Sequence, residues 1–584
     1  MRSSIYMLVI LMLACTFAYG QTQLTSGKVS AKFTPEAGLT ELKFDGRTVM
    51  IGSSAHFAGS QFTLMRNVPT RDWNWPANRT TPHYAVKNGK LINKIGHWKD
   101  RTTHVLQSQD NRYTVEHRFA MGINVTFDHV LAANDLTMTI TIDNQTPDPY
   151  QLDDWLLFLV KPQGAAKLTH RMGNYYPAGD NYSPVSTISD RNWGMGISYI
   201  KHDLRPMMIR LNARPQYRDY QFDCWLKDSP IPAGSRSSYT IVLRLDQTPG
   251  DWKNLLEPYR QWFSQYYGPA QYHTDFRLKV GVFACYLEGV TPTNPRGYFH
   301  QLDRTGWLPY LRKQVGHLSK YNTGEVIIWG ATGISQRGVN YRPDFDVMPP
   351  ILEQGLDQLA PFFQSIGNKR FGFFARPNTI AYQETWAQDA DVSFNPHDPK
   401  HVRMADKRYE RLADKGATAF YMDTYGADWG AYPGAAKGSA FYLKHLRDKF
   451  GPDALLVSEF GFDVFSVYAM VWPNASDKLG QKPIGAFAQW LVPGSVEFCR
   501  AYHVDGVKRA WQMGAVPMIN DFSVNTALMQ MQNQYVNPDG SSKVRSDCQS
   551  PKVQAVSSPL GLPQQKTGPA DQTTSPVDSL FRKD

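Results

Sequence analysis

Cysteine is scarce in this chain: five among 584 residues, Cys15, Cys224, Cys285, Cys499 and Cys548, with no C-x-x-C pair. Spacing this wide excludes a disulfide scaffold and a zinc ribbon, and leaves buried core thiols as the reading for those beyond Cys15. Charge is also modest. Asp, Glu, Lys and Arg make up 20% of the chain, and no basic run underlies the net charge of +10. That balance serves solubility and gives no footprint for nucleic acid. After the first twenty residues no apolar run is long enough to cross a bilayer. No G-x-G-x-x-G loop follows the first apolar strand candidate, and no G-x-S-x-G elbow is present. The pair His397 and His401 lacks the Glu of H-E-x-x-H, and Asp398-Pro399 reads as a helix cap followed by the first helical residue. The first strand candidate carries no His-x-His pair either, so neither a metal nor another cofactor is expected.

What is present begins with an address. Arg2, an apolar stretch from Ile5 to Ala14 and the small-residue pattern Ala18-Tyr19-Gly20 before Gln21 describe a secretory signal over residues 1–20. The protein is therefore expected to be secreted or periplasmic. Cys15 is a poorer candidate for a lipid anchor, because Met12 suits such a site badly. The remaining chain exceeds 500 residues, too many for one hydrophobic core, so two or more domains are expected. Aromatic residues reach 13%, including 15 Trp and 30 Tyr. Such rings stack on sugars, and a large β-rich core consumes them equally well.

Residues 21–248 carry the period-2 pattern of strands. Tyr113, Val115, His117 and Phe119 alternate with polar neighbours, as do Ile123, Val125, Phe127 and His129. Leu136, Met138, Ile140 and Ile142 follow after an Asn134-Asp135 turn. Successive segments of this kind predict an antiparallel β-sandwich. Over 249–275 the pattern changes to a linker helix capped by Asp251, with Trp252, Leu256, Tyr259 and Phe263 at helical spacing and Pro258 inside it.

From 276 to 536 strand and helix patterns alternate, which predicts parallel βαβ units in a (β/α)₈ TIM-type barrel. The strand candidates are Leu278–Tyr286, Val326–Trp329, Phe371–Ala375, Ala417–Met422, Ala454–Val457, Phe487–Val492 and Ala515–Ile519. These are seven and not eight, so an incomplete barrel stays open, with Val524–Tyr535 as the candidate final helix. Residues 537–584 are rich in Ser, Pro, Gln, Lys and Gly, and are expected to be disordered.

A barrel places its chemistry at the C-terminal ends of its strands. The fourth candidate ends in Asp423 and the fifth runs into Glu459, two carboxylates on neighbouring strands. Glycosidic bond cleavage needs such a pair, one ionised and one carrying a proton. A lone Asp after a strand is also a common helix cap, and Asp428 and Asp463 are close enough to take the place of Glu459. Further sugar contacts are expected from Glu288, Trp329, Arg376, Asn378, Trp386, Tyr425, Asp428, Trp429 and Asp521 at strand ends and in their loops. Each has a packing or capping alternative.

The linker "DWKNLLEPYRQWF" and the barrel segments "ATAFYMDTYGADW" and "LLVSEFGFD" resemble retaining glycosidases of the α-galactosidase-like and endo-α-N-acetylgalactosaminidase families. "YRPDFDVMPP" and "GLDQLAPFFQSIGNKRFGFFARPN" are similar to their second and third βα units, and the pattern covers most of residues 22–525. The resemblance implies Asp423 as nucleophile. It implies Glu459 as acid/base from the endo-acting enzymes, whereas the exo-acting galactosidases place an Asp further along. The expectation is an exported retaining glycoside hydrolase acting on α-linked sugars of an oligosaccharide or glycoconjugate. A glycan-binding protein without catalysis and a transglycosylase or epimerase on the same scaffold remain alternatives.

Overall fold

Apolar side chains at every second position, with polar ones between, make a strand that buries one face. Arg112–Phe119, Ile123–Ala132 and Asp135–Asn144 are three such strands, hydrogen-bonded antiparallel in sequence order. The computed structural model describes residues 21–35, 38–52, 62–66, 86–87, 90–91, 101–119, 122–147, 150–164, 166–171, 185–200, 208–214, 219–225, 231–334, 348–367, 369–375, 379–381, 391–396, 398–423, 425, 435–459, 463–472 and 484–549. The expected signal over 1–20, Cys15 included, lies outside them. The chain divides into two compact units, Met1–Phe263 and Ser264–Asp584. Among the described residues no helix is long and apolar enough to cross a membrane.

The first unit holds two antiparallel sheets of eight strands each. Phe33, Leu42 and Met50 of one sheet share a buried core with Tyr113, Ile140 and Leu243 of the other, so the sheets form a sandwich. The turn between the second and third of the alternating strands is Ala133-Asn134, one residue earlier than expected, with Ala133 at a φ of 50°. The helix Trp252–Tyr266 begins as expected, the Asp251 carboxylate accepting the Asn254 N–H at 3.1 Å. Its Leu255 lies so close to strand Gly194–Ile200 that a Cβ at Gly196 would stand 2.0 Å from the Leu255 carbonyl oxygen. Only glycine permits that approach.

His129 belongs to this sandwich core. Its ring lies 4.6 Å from that of Phe33, and Nδ1 bonds the Tyr113 carbonyl oxygen at 3.1 Å. Burial pushes the imidazole down to about 4, against the smaller upward pulls of that carbonyl and Asp128. A folded pKa below the unfolded value of about 6.5 contributes stability above that value and loses it as the pH falls. Lowering the pH from 7 to 4.5 is therefore expected to cost about 2.5 kcal/mol through His129 alone. Urea unfolding at the two pH values should show the difference, and His129→Phe should lessen it; an unchanged pH dependence in the variant excludes this role.

The second unit is an eight-stranded parallel barrel. Its strands, in chain order, are β1 (Lys279–Phe283), β2 (Val326–Trp329), β3 (Phe371–Ala375), β4 (Ala419–Met422), β5 (Leu455–Ser458), β6 (Met470–Val471), β7 (Phe498–Arg500) and β8 (Val516–Asn520). They pair as β6-β5-β4-β3-β2-β1-β8-β7, every pair parallel. A parallel bridge from Val471 to Glu497 joins β6 to the start of β7, so the ring closes. The (β/α)₈ barrel is complete.

Three expectations need correction. The strand expected over Phe487–Val492 is part of the helix Ile484–Leu491, because a short, almost wholly apolar run fits a buried helix as well as a strand. The strands that fill the barrel instead, β6 and β7, have two and three residues, too few to show any period. The chain also stays ordered beyond Asn537. Thr274 N–H donates to the Gln549 carbonyl at 2.7 Å and Phe276 N–H to that of Gly540 at 2.8 Å. The Arg545 guanidinium donates to the Ser495 carbonyl at 3.2 Å. Residues 537–549 thus cross the N-terminal end of the barrel, satisfied by backbone hydrogen bonds and not by apolar burial; 550–584 lie outside the described residues. The final helix is Thr526–Tyr535, capped by the Asn525 side chain.

Candidate active site

Side chains on a barrel strand point alternately to the interior and to the helix layer. On β4, Phe420 packs on Tyr409 and Phe450 of the helices, with ring centroids at 5.1 and 5.4 Å. Tyr421 faces the interior, where its ring meets Trp329 at 4.7 Å, Phe498 at 5.8 Å, Trp472 at 5.9 Å and Phe374 at 6.0 Å. Asp423 stands two residues on and so shares the interior face at the C-terminal mouth.

Register brings its partner alongside. Tyr421 pairs with Val457 of β5, and the Glu459 N–H extends that ladder by donating to the Met422 carbonyl at 3.1 Å. The Asp423 N–H does the same toward β3, reaching Ala375 O at 2.8 Å. Asp423 and Glu459 are therefore level on adjacent strands, and both side chains are half-buried. They also act on one group. Burial pushes the Tyr421 hydroxyl well above its ordinary range, and the charges of Glu459 and Asp423 raise it further while Arg500 opposes them. That hydroxyl is fully buried and has no hydrogen-bond partner among the described residues.

Trp329 ends β2 as expected but is 2% exposed, so it is the aromatic floor of the mouth and not an open sugar platform. It stacks on Phe374 at 4.4 Å and on Phe283 at 5.7 Å. Tyr425 leaves the contact set: its ring is buried against Phe465 and its hydroxyl donates to the Ser439 carbonyl. Glu288 sits exposed in the short turn after β1, on the rim. Asp521 follows β8 and is buried, its carboxyl raised to about 6 by that burial, with the charge of His317 and the turn amides of Asp521 and Phe522 opposing. The phenol of Tyr310 senses it from the helix Trp307–Val315, so it belongs to the helix side of the mouth and not to the surroundings of Tyr421. Asp463 accepts the Val464 N–H at 2.8 Å, just before the short helix Phe465–Tyr468. Asp398 likewise caps its helix, accepting the Lys400 N–H at 2.8 Å, and His401 Nδ1 accepts the Asn395 N–H at 2.9 Å. Arg376, Asn378, Trp386, His397, Asp428 and Trp429 lie outside the described residues.

Four residues of the mouth were not expected from the sequence: Tyr421, Trp472, Arg500 and Tyr502. Tyr421 reads as one more apolar strand position, and the others follow or end the two strands too short to recognise. Arg500 closes β7 with its guanidinium carbon 4.7 Å from the Trp329 ring centroid, 5.3 Å from Tyr502 and 5.5 Å from Phe283.

No protein-family model and no curated protein matches this chain. Solved structures do. The ligand-free α-N-acetylgalactosaminidase NagBb from Bifidobacterium bifidum is similar with a TM-score of 0.52 and 12% identity, over 87% of this chain and 92% of that one. Its GalNAc complex gives a TM-score of 0.53 and 12% identity over 90% and 94%. The GH36 α-galactosidase AgaA from Geobacillus stearothermophilus gives 0.46 and 12% over 88% and 85%. At these identities the likeness to NagBb is one of fold, a likeness that spans nearly the whole of both chains.

Proposed function

We propose that the chain is an exported glycoside hydrolase that cleaves α-linked glycosides with retention of configuration. The observation that carries this reading is the pair of half-buried carboxylates, Asp423 and Glu459, level on adjacent barrel strands and both acting on the buried Tyr421 hydroxyl. The fold shared with an α-N-acetylgalactosaminidase supports α-linked sugars as the substrate class.

In this mechanism the Asp423 carboxylate attacks the anomeric carbon, and the bond to the leaving oxygen breaks. Glu459 gives its proton to that oxygen, which departs as the alcohol. The resulting glycosyl ester on Asp423 is then attacked by water, whose proton returns to Glu459, and Asp423 leaves as carboxylate. Retention calls for the two carboxyl groups about 5–5.5 Å apart, a separation that neighbouring strands allow, whereas inversion requires room for a water between them. The aromatic floor of Trp329, Tyr421 and Trp472 keeps bulk water away from below the sugar and strengthens the fields of both carboxylates.

The test is a panel of aryl α- and β-glycosides, with the first-formed anomer followed by proton NMR. Turnover of an α-glycoside to the α-anomer is expected. An initial β-anomer from the same substrate overturns retention, and no turnover across neutral and acidic panels overturns the hydrolase reading.

A further inference from the structure

We propose that Arg500 is an anion-recognising arm of the mouth, and that the sugar held above Asp423 and Glu459 carries a carboxylate or sulfate group. The proposal rests on the glycosidase reading for the position of the sugar.

Four arginines of the barrel have a carboxylate partner. Arg277 pairs with Asp275 at 2.6 Å, Arg370 with Glu325 at 3.1 Å, Arg411 with Glu353 at 2.7 Å and Arg545 with Asp547 at 2.6 Å. The half-buried Arg500 makes neither an ion pair nor a side-chain hydrogen bond among the described residues; its contacts are aromatic faces. The guanidinium lies over the rings of Trp329, Tyr502 and Phe283, none of which offers it an oxygen. Aromatic rings take no N–H hydrogen bonds in the way an oxygen does, so the guanidinium keeps a planar donor fork that matches a two-oxygen anion.

A second observation points to the same place. The buried Tyr421 hydroxyl has no partner among the described residues, and Glu459, Asp423, Arg500 and Tyr502 all act on it. A buried hydroxyl left unpaired costs free energy unless something arrives to bond it. Among the described residues, a sugar above Tyr421 meets the carboxyl groups of Asp423 and Glu459 on the β4–β5 side and the Arg500 guanidinium on the β7 side. Hydroxyl groups suit the former, and an acidic substituent suits the latter. The net charge of +10 favours the approach of such substrates over longer distances.

Calorimetric titration of the full chain tests this without turnover. The probes are matched pairs: galacturonic acid with galactose, glucuronic acid with glucose, and GalNAc 6-sulfate with GalNAc. In at least one pair the acidic member should bind ten-fold or more tightly, and the pair that shows it tells carboxylate from sulfate. Arg500→Met should abolish that preference, Arg500→Lys should keep part of it, and Asp423→Asn should keep it whole. Circular dichroism checks that each variant is folded, and the lysine variant carries the test if the methionine variant is not. Neutral sugars binding as tightly in every pair, no detectable binding of any acidic probe, or a preference that survives loss of the guanidinium overturns the proposal. A clear acid preference with no hydrolysis anywhere would leave Arg500 its role and remove the glycosidase reading instead.

Discussion

Asp423→Asn is expected to bind sugar about as well as the parent and to hydrolyse it on the order of 10⁴-fold more slowly, roughly 5 kcal/mol of lost transition-state stabilisation. The size follows from the role: the covalent bond is formed by the carboxylate, and the neutral amide that replaces it is a far weaker nucleophile. The strand ladder survives the change, because the Asp423 backbone N–H bonds Ala375 O whatever the side chain is. Glu459→Gln should behave differently. It removes a proton donor, so glycosides with a dinitrophenolate leaving group should lose little in the first step, and those with an alkyl leaving group should lose on the order of 10³-fold or more. Steady-state kinetics on both substrate types, for both variants, separates the roles. Asp423→Asn activity within ten-fold of the parent removes Asp423 as nucleophile, and equal losses on both leaving groups remove Glu459 as acid.

The part of this arrangement that could be read in the sequence is the part where strands are long enough to have a pattern. The alternating sandwich strands were legible because one face is core and the other is water, as in Ile123–Ala132. Strands β1 to β5 and β8 were legible as apolar runs between helices, and Asp423 and Glu459 as charges that end such runs. The strands β6 and β7 were not. Their two and three residues are held by neighbours on both sides and need no propensity of their own, which is why Arg500 was missed. Trp329 and Tyr425 follow or end strands as the sequence implies, but both are buried, because exposure is decided by tertiary packing. The segment 537–549 was misread because composition registers apolar burial and is blind to main-chain hydrogen bonds made to the ends of other strands.

The second large effect lies at the opposite end of the barrel. Lys279 opens β1, Glu325 immediately precedes β2 and Arg370 immediately precedes β3. The Lys279 ammonium lies 2.6 Å from the Glu325 carboxylate and 3.5 Å from that of Asp275, and it donates to the Asp275 carbonyl at 2.7 Å. All three side chains are buried, so each charge is tolerable only while the others are present. Burial works to raise both carboxyls, and Lys279, with Arg277 on Asp275 and Arg370 on Glu325, outweighs it and holds both below the usual range. Depressed carboxyl pKa values contribute stability above about pH 4 and lose it below. Lys279→Met removes the central cation and is expected to cost roughly 3–5 kcal/mol at pH 7. Without that cation burial dominates and both carboxyls rise, so mild acid should now restore stability by protonating them, opposite to its effect on the parent. Lys279→Met combined with Glu325→Met should recover much of the loss, because a buried apolar pair replaces an unbalanced charge. Thermal unfolding of the full chain between pH 5 and 7 distinguishes these outcomes. A Lys279→Met protein as stable as the parent, or a double variant worse than the single, would show that the cluster does not hold the barrel floor. Because Lys279 opens a strand that Arg500 and Trp329 flank only at its far end, the surviving folded molecules should keep the parent kcat.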